Sequence, residues 1–522
     1  MRLTFLGICV VCAGIWMSFV SQAQLLNSNS FKLEQTTSSS TSVVPLSNSV
    51  TDIVIAGSTI WLGTGKGLSR STDAGATWRN YWGSPEFGEE DVSAITIHVD
   101  EVWVATAHST TVDGNTLPEG SGIRYSPDQG ETWKVIPQPR DTKSIDTLFY
   151  NAKSTIRALG VTTNINNITY DIAATDSAVW ISSYAGMARK STDKGQTWQV
   201  VIIPPDQLDG INPNDSLVFD VAPVSGNLGL IGSLNHRAFS VYAESWSNVW
   251  IGTAGGINKT TDGGRSWVKY NHSNQNSPIS GNFVVALRKQ SFAGRSVMWA
   301  GTVNAEGPDE KRGVSISADA GATWKTSLIG EFCHNLGFKD SIAYAVTDDG
   351  IFRSSDLGTT WSESGTIYDT KSKQRITSSQ FYAVDTRGDD IWFGGSDGTA
   401  HTADNAASPF GFSWSVSHAA QPLPSQSSTY AYPNPFSPDD EVVRVHYAVG
   451  NRLAKVTIRI FDFGMNLVRT LISNANRSGT SEFDEIWDGR DDNRRQVANG
   501  PYFYEVVVGN DDPIWGKILV IQ

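Results

Sequence analysis

The sequence predicts an all-β protein, a seven-bladed β-propeller followed by a small antiparallel β-sandwich, and three observations carry that expectation. An eight-residue phrase, Ser71-Thr-Asp73-Ala-Gly75-Ala-Thr77-Trp78, returns six more times, with its aspartates at Asp73, Asp128, Asp193, Asp262, Asp319, Asp356 and, in a decayed copy, Asp404. Ahead of each phrase lies a second motif centred on an aromatic residue: Trp61, Trp103, Trp180, Trp250, Trp299, Tyr344 and Trp392. Upstream again, runs such as Asp52-Ile-Val-Ile-Ala56 and Phe381-Tyr-Ala-Val-Asp385 alternate apolar and polar residues between Gly and Asp turns, which is strand periodicity. Self-similarity at a spacing of several tens of residues marks a propeller or a solenoid, and strand, turn, strand, Gly turn, strand, phrase, strand is one four-stranded blade.

Each element has a physical reason. In the phrase, the aspartate accepts hydrogen bonds from amides a few residues on, the glycine supplies a positive φ, and the tryptophan covers the hairpin. A carboxylate needed once per blade serves the blade, so the seven aspartates read as structural rather than catalytic or calcium-binding. Of the 18 tryptophans, seven end a phrase and six mark the second strand. Trp16 falls in the leader, Trp487 and Trp515 in the last domain, and only Trp82 and Trp246 remain in the propeller. Repeat logic puts Trp246 on the side of the phrases and Trp82 on the opposite rim.

Residues 1–23 join Arg2, an apolar stretch through Val20, and Ser21-Gln-Ala23, the pattern of a cleaved secretory signal; a membrane anchor is the competing reading. The expected location is therefore secreted or at the outer cell surface. Residues 24–47 are a polar leader, 48–417 the propeller, 418–430 a Pro/Ser linker and 431–522 a C-terminal domain. Cys9 and Cys12 leave with the signal, so Cys333 has no intramolecular partner and reads as a small hydrophobe. The formal net charge of −13 argues against nucleic acid and anionic membranes as partners.

The repeated phrase resembles the Asp-box of bacterial-neuraminidase-type repeats, whose boxes lie on the face away from the ligand site. The block Trp487-Asp488-Gly489-Arg490-Asp491 followed by Asn499-Gly500-Pro501-Tyr502-Phe503-Tyr504 resembles the immunoglobulin-like domain of the flagellar hook-capping protein, and also the type IX secretion sorting domains of exported proteins. That resemblance implies either an address read by a secretion machine or a docking module. Strands are expected at Val442–Tyr447, Val456–Phe461, Leu467–Ile472, Tyr502–Val508 and Gly516–Ile521. The turn at Asp488, Asp491 and Asp492 departs from EF-hand spacing.

Any ligand site should lie in the connections on the rim opposite the phrases, where the long insertions fall: His108–Gly120, Lys134 to about Tyr170, Val201–Ser216 and Asn304–Arg312. The residues placed on that rim are Trp82, His108, Tyr184, Asp348, Asp349 and Asp397. No catalytic constellation is complete. Sialidases, which resemble this chain in their boxes, use six blades, three arginines and an Arg-Ile-Pro motif, where this chain has Val44-Pro45-Leu46; Arg70, Arg124, Arg189 and Arg353 are repeat positions. Xyloglucanase-type glycosidases place their acids between two propellers, and one propeller cannot build that cleft. No G-x-S-x-G elbow, zinc helix motif or Walker loop appears, and Gly63-Thr-Gly65-Lys-Gly67 is a hairpin turn without a following helix. By blade count the chain also resembles the photosystem II assembly propeller, a binding scaffold. The expectation is an exported binding or structural propeller without cofactor or metal, its partner a glycan or protein at the cell surface; the alternative is a secreted glycoside hydrolase with two acids on the funnel.

Overall fold

A computed structural model describes residues 40–522 apart from 43, 230–231, 373, 420–422, 424, 426, 439–441, 451, 479–481 and 522. The segment expected to be a secretory signal and most of the expected polar leader lie outside the described residues. Seven antiparallel sheets follow one another along the chain, each built in the order inner, second, third, outer strand. In the first blade these are Val50–Ala56, Thr59–Thr64, Gly67–Ser71 and Trp78–Asn80. The other inner strands are Asp91–His98, Thr169–Ala174, Ala238–Ala243, Phe283–Phe292, Cys333–Lys339 and Phe381–Arg387. Each inner strand packs beside the next, and the seventh returns to the first, so the ring is closed. Closure leaves the blades no open edge toward the axis except the inner strands themselves.

The repeated turn performs the chemistry its residues suggest. In the first copy Ser71 Oγ donates to Asp73 Oδ1 at 2.8 Å, Gly75 N donates to Ser71 Oγ at 2.8 Å, and Thr77 donates to the carboxylate through N and Oγ1 at 2.8 and 2.6 Å. The same bonds recur around Asp128, Asp193, Asp262, Asp319 and Asp356.

The tryptophans do more than cover their own hairpins. In six of the seven blades the second-strand indole lies under the repeated turn of the next. Trp61 meets Trp133 edge to face at 6.4 Å, Trp180 meets Trp267 at 6.4 Å, Trp250 meets Trp324 at 6.5 Å, Trp299 meets Trp361 at 6.2 Å, and Trp392 of the last blade meets Trp78 of the first at 6.3 Å. Such pairs contribute about 0.5–1.5 kcal/mol each beyond their burial. The glycine of the turn lies against this contact: a Cβ on Gly75 would stand 2.6 Å from Trp392, and one on Gly130 2.5 Å from Trp61. With φ at +85° and +86°, both positions require glycine twice over.

One junction is built differently. Asp404 does not close its own hairpin as the other six aspartates do. It accepts from Arg353 of the preceding blade at 2.6 and 3.2 Å and from the hydroxyl of Tyr344, the one second-strand aromatic that is not tryptophan. A hydrogen-bonded ion pair replaces the indole-on-glycine contact there.

Three sequence expectations change. His108–Gly120 is not a loop: the strands Glu101–Val112 and Asn115–Ser126 run through it as one long hairpin. Ser40–Ser42, expected in the leader, pairs with Trp78–Asn80 as a fifth strand of the first blade. The insertions after the second and third blades meet in a small sheet of Ile145–Leu148, Thr155–Leu159 and Val218–Val221, the last two parallel. In each case the residues satisfy backbone groups that a loop would leave open.

The C-terminal domain is an Ig-like sandwich. Thr429–Tyr432, Val443–Ala448 and Glu482–Trp487 form one sheet; Leu467–Arg477, Ala454–Phe461, Gly500–Val508 and Ile514–Val520 form the other. Val445, Tyr447, Ile458, Trp487 and Tyr504 fill the space between them. Two of these strands were not expected. Glu482–Trp487 alternates with acids on its polar side, where Glu482 and Asp484 hold buried His446 at 2.7 and 2.9 Å. Asp488 and Asp491 bind amides of their own turn and Asp492 that of Thr470, and among the described residues no cluster of three or more His, Cys, Asp or Glu suits a metal.

Inner strands carry amides that no strand pairs, and carboxylates cap them. Asp52 accepts from Ile53 and from Ile95 of the next blade at 2.9 and 2.8 Å; Asp171 accepts from Val241 at 3.0 Å, and Asp385 from Ile55 across the ring closure at 2.7 Å. Arg288 reaches Asp171 at 3.5 Å. Burial pushes Asp52 up to about 7 and Asp385 up to about 6, whereas hydrogen bonds from the turn threonines hold Asp73, Asp128, Asp193 and Asp356 down at about 2.

These two groups act oppositely on stability. An unfolded aspartate releases its proton near pH 4. The turn aspartates therefore stabilise the fold above that pH, and this contribution is lost as pH falls toward about 2. Asp52 and Asp385 keep their protons to higher pH folded than unfolded, so stability declines as pH rises from about 4 through about 7, and above that both carboxylates are ionised. Melting temperature should fall across that upper window, and Asp52→Asn should flatten the fall; a variant curve parallel to the wild type would contradict the assignment.

Candidate functional site at the channel mouth

The two kinds of connection occupy opposite ends of the ring. Repeated turns bond to the turns that follow inner strands: Gln129 N to Asp100 O at 2.9 Å, Gly263 N to Ser247 O at 3.0 Å, and Asp404 N to Asp389 O at 2.9 Å. The exposed Trp246 packs on Gly263 at this end. At the other end, turns between second and third strands meet the chain entering each inner strand, as in Gly65 N to Ser49 O at 2.9 Å and Ser396 N to Gln380 O at 3.1 Å.

At that second end every inner strand carries a β-bulge, and always at the same place. The unpaired residues are Thr51, Ser93, Tyr170, Phe239, Val285, His334 and Tyr382. All seven are half-buried between mostly buried neighbours. A bulge re-aims a side chain and bends its strand, and bulges recur at barrel rims and beside sites. Here five of them reach the next blade. Thr51 Oγ1 donates to Val92 O at 2.8 Å and Ser93 Oγ to Thr169 O at 2.7 Å. Tyr170 meets Phe239 at 5.4 Å, Phe239 meets Phe283 at 4.4 Å, and His334 meets Tyr382 at 5.1 Å. The mouth of the axial channel is thus hydroxyl-lined across the first two blades and largely aromatic across the rest.

The six residues expected on this rim fall into separate groups. Tyr184 joins the aromatic arc, 6.1 Å from Phe239, with the Arg237 guanidinium 5.6 Å from its ring. His108 bridges Glu90 at 2.8 Å and Glu119 at 3.4 Å. Burial pulls its imidazolium down, but the bond to Glu90 and the charges of both glutamates outweigh this and leave its pKa raised. Asp91 beside them is pushed up to about 6 by burial and by Glu90. Asp348 holds His334 at 2.9 Å, and Asp397 accepts from Thr377 N and Oγ1 at 2.8 and 2.7 Å. Asp349 lines a groove of about 330 Å³ with Glu363, Arg375 and Ser378. Burial, then the charge of Asp349, raise the pKa of Glu331. Trp82 stands apart from these groups, with Lys66 Nζ 6.0 Å from its ring.

The bulge residues were missed by the sequence reading. Their signal is present, because Tyr170, Phe239, His334 and Tyr382 each interrupt the apolar alternation at the start of an inner strand.

Comparison with known proteins bears on the two domains differently. Residues 436–512 match the FlgD Ig-like domain. A search of curated proteins gave no match. Among solved structures the chain is similar to the GH74 enzyme of Niastella koreensis, with 13% identity over 92% of this chain and 74% of that one and a TM-score of 0.47. It is also similar to YCF48 from Cyanidioschyzon merolae, with 15% identity over 69% of this chain and 97% of that one and a TM-score of 0.41, and to YCF48 bound to a D1 peptide, with 14% identity over 69% and 94% and the same score.

Proposed function

We propose that this protein is an exported, non-enzymatic binding propeller, displayed at the cell surface or released from it, whose partner meets the mouth of the axial channel. In this reading the repeated turns are Asp-boxes that hold the ring from the opposite end. The observation that carries it is the bulge at one inner-strand position in all seven blades, which turns a side chain into the mouth without serving the blade's own pairing. The carboxylates around it support the same reading. Asp348, Asp397, Glu90 and Glu119 are held by His334, Thr377 and His108 rather than standing ready for a substrate. A glycan or a protein segment at the cell surface would meet such a mouth.

A hydrolase reading has one observation in its favour, the contact between Glu331 and Asp349, in which one carboxyl is kept above the usual range beside a groove. A glycan array, a peptide array and a panel of chromogenic glycosides separate the two. Binding without turnover, weakened at least tenfold by Tyr170→Ala, is the expected result. Turnover abolished by Glu331→Gln and Asp349→Asn would replace the binding reading with the enzymatic one.

The C-terminal domain acts, in this proposal, as an address read by secretion machinery. A chain ending at Ser428 should fold as a propeller yet fail to reach the surface of its native host. Normal display of that truncated chain would favour a docking module instead.

A further inference from the structure

The aromatic arc has a shape and an electrostatic setting that favour one kind of ligand. Phe239 is its centre. The rings of Tyr170, Tyr184 and Phe283 are inclined to it by 47°, 39° and 68°, at 5.4, 6.1 and 4.4 Å. A pyranose needs a flat face to stack on. Rings mutually inclined around a centre make a cup, and the negative faces of such rings attract a compact cation. The protein already uses this attraction here, since the Arg237 guanidinium lies over Tyr184.

Charge points the same way. Asp171 follows Tyr170 directly in the chain and pairs with Arg288 at 3.5 Å, and above about pH 7 the ionised Asp52 and Asp385 add negative charge along the axis. Beside the arc, in the connection between the second and third strands of the fifth blade, the exposed Glu306 lies within the electrostatic reach of Arg237 and offsets it. The whole chain carries a formal net charge of −13, which draws cations toward it from a distance.

Resting on the binding reading above, we propose that the cup of Tyr170, Tyr184, Phe239 and Phe283 receives an alkylammonium group, the lysine side chain of a peptide or protein partner. Its aliphatic stem packs on the rings while the ammonium faces the axial carboxylates. The cup selects charge and stem together, so a neutral side chain of equal length binds poorly and a sugar does not compete.

Saturation-transfer NMR on the full chain tests this with Nα-acetyl-lysine methylamide as probe, and with Nα-acetyl-norleucine methylamide, methyl β-D-glucopyranoside and cadaverine as comparators. The lysine amide should bind at least tenfold more tightly than the norleucine amide. Phe239→Ala should abolish that preference, Phe239→Tyr should retain it, and Asp171→Asn should weaken lysine binding several-fold. Equal binding of lysine and norleucine amides by the wild-type protein would overturn the proposal without any variant being needed. Lysine binding unchanged in Phe239→Ala would also overturn it. Cadaverine binding more tightly than the lysine amide would overturn the peptide source. If the lysine amide fails while a glycan or a neutral peptide binds on the arrays, the cation is wrong and the binding propeller stands; if nothing binds at all, both fall.

Discussion

The ring depends on a contact that no blade makes alone, the indole of one blade lying beneath the glycine and tryptophan of the next blade's repeated turn. A four-stranded sheet of this size has two apolar faces and cannot bury either by itself. The contact supplies a specific fit at most junctions, from Trp61 with Gly130 round to Trp392 with Gly75, with Tyr270 lying against Gly321. Its geometry also dictates the phrase. The aspartate fixes the turn so that its glycine can present bare backbone to an indole, and any side chain there would meet the ring within van der Waals distance. Where the second-strand aromatic is Tyr344, the phrase decays and Asp404 takes the tyrosine hydroxyl and Arg353 instead.

Concentrating the fastening at one end releases the other. At the end away from the repeated turns, the chain has lengthened the hairpin Glu101–Ser126, while the small sheet after the second and third blades reaches the repeated turn of the fourth, where the Tyr150 hydroxyl donates to Arg265 O. The inner strands there bulge in every blade, and the residues they expose differ from blade to blade, from Ser93 to Phe239 to His334. Repetition provides the bulge and variation provides the surface. Farther along the axis, Asp52, Asp171 and Asp385 satisfy inner-strand amides that closure leaves unpaired, at the cost of burying carboxylates. The same groups hold the blades together and line the axis with carboxyl groups that ionise only above the usual carboxylate range.

Blade number, strand order and the structural role of Asp73 to Asp356 were legible in the sequence because one turn recurs with fixed chemistry. The pairing of Trp61 with the next blade was not, since a repeat shows that two motifs belong to one unit but not which unit's copy each one touches. The departure at Tyr344 and Asp404 was visible as two irregularities in neighbouring repeats, and only their contact explains them. The bulges were hidden for another reason. An extra residue in a strand looks in sequence like a slip in alternation, and the slip at Phe239 between Ala238 and Ser240 does not by itself say that its partners skip it. His108 was placed on the right rim as a loop residue, while its pairing with Glu90 and Glu119 needed the long hairpin to be seen. In the last domain the alternation of Val456–Phe461 was plain, whereas Glu482–Trp487 concealed a strand behind acids that serve His446.

Hydrogen exchange on a Gly130→Ala variant tests the shared junction most directly. A methyl group there would meet Trp61 of the preceding blade, so amide protection should fall together around Trp61 in the first blade and around the turn from Ser126 to Trp133 in the second, with the far rim exchanging as in the wild type. Loss of protection confined to the turn, with the strand Thr59–Thr64 exchanging as in the wild type, would contradict the claim that adjoining blades are fastened through this contact.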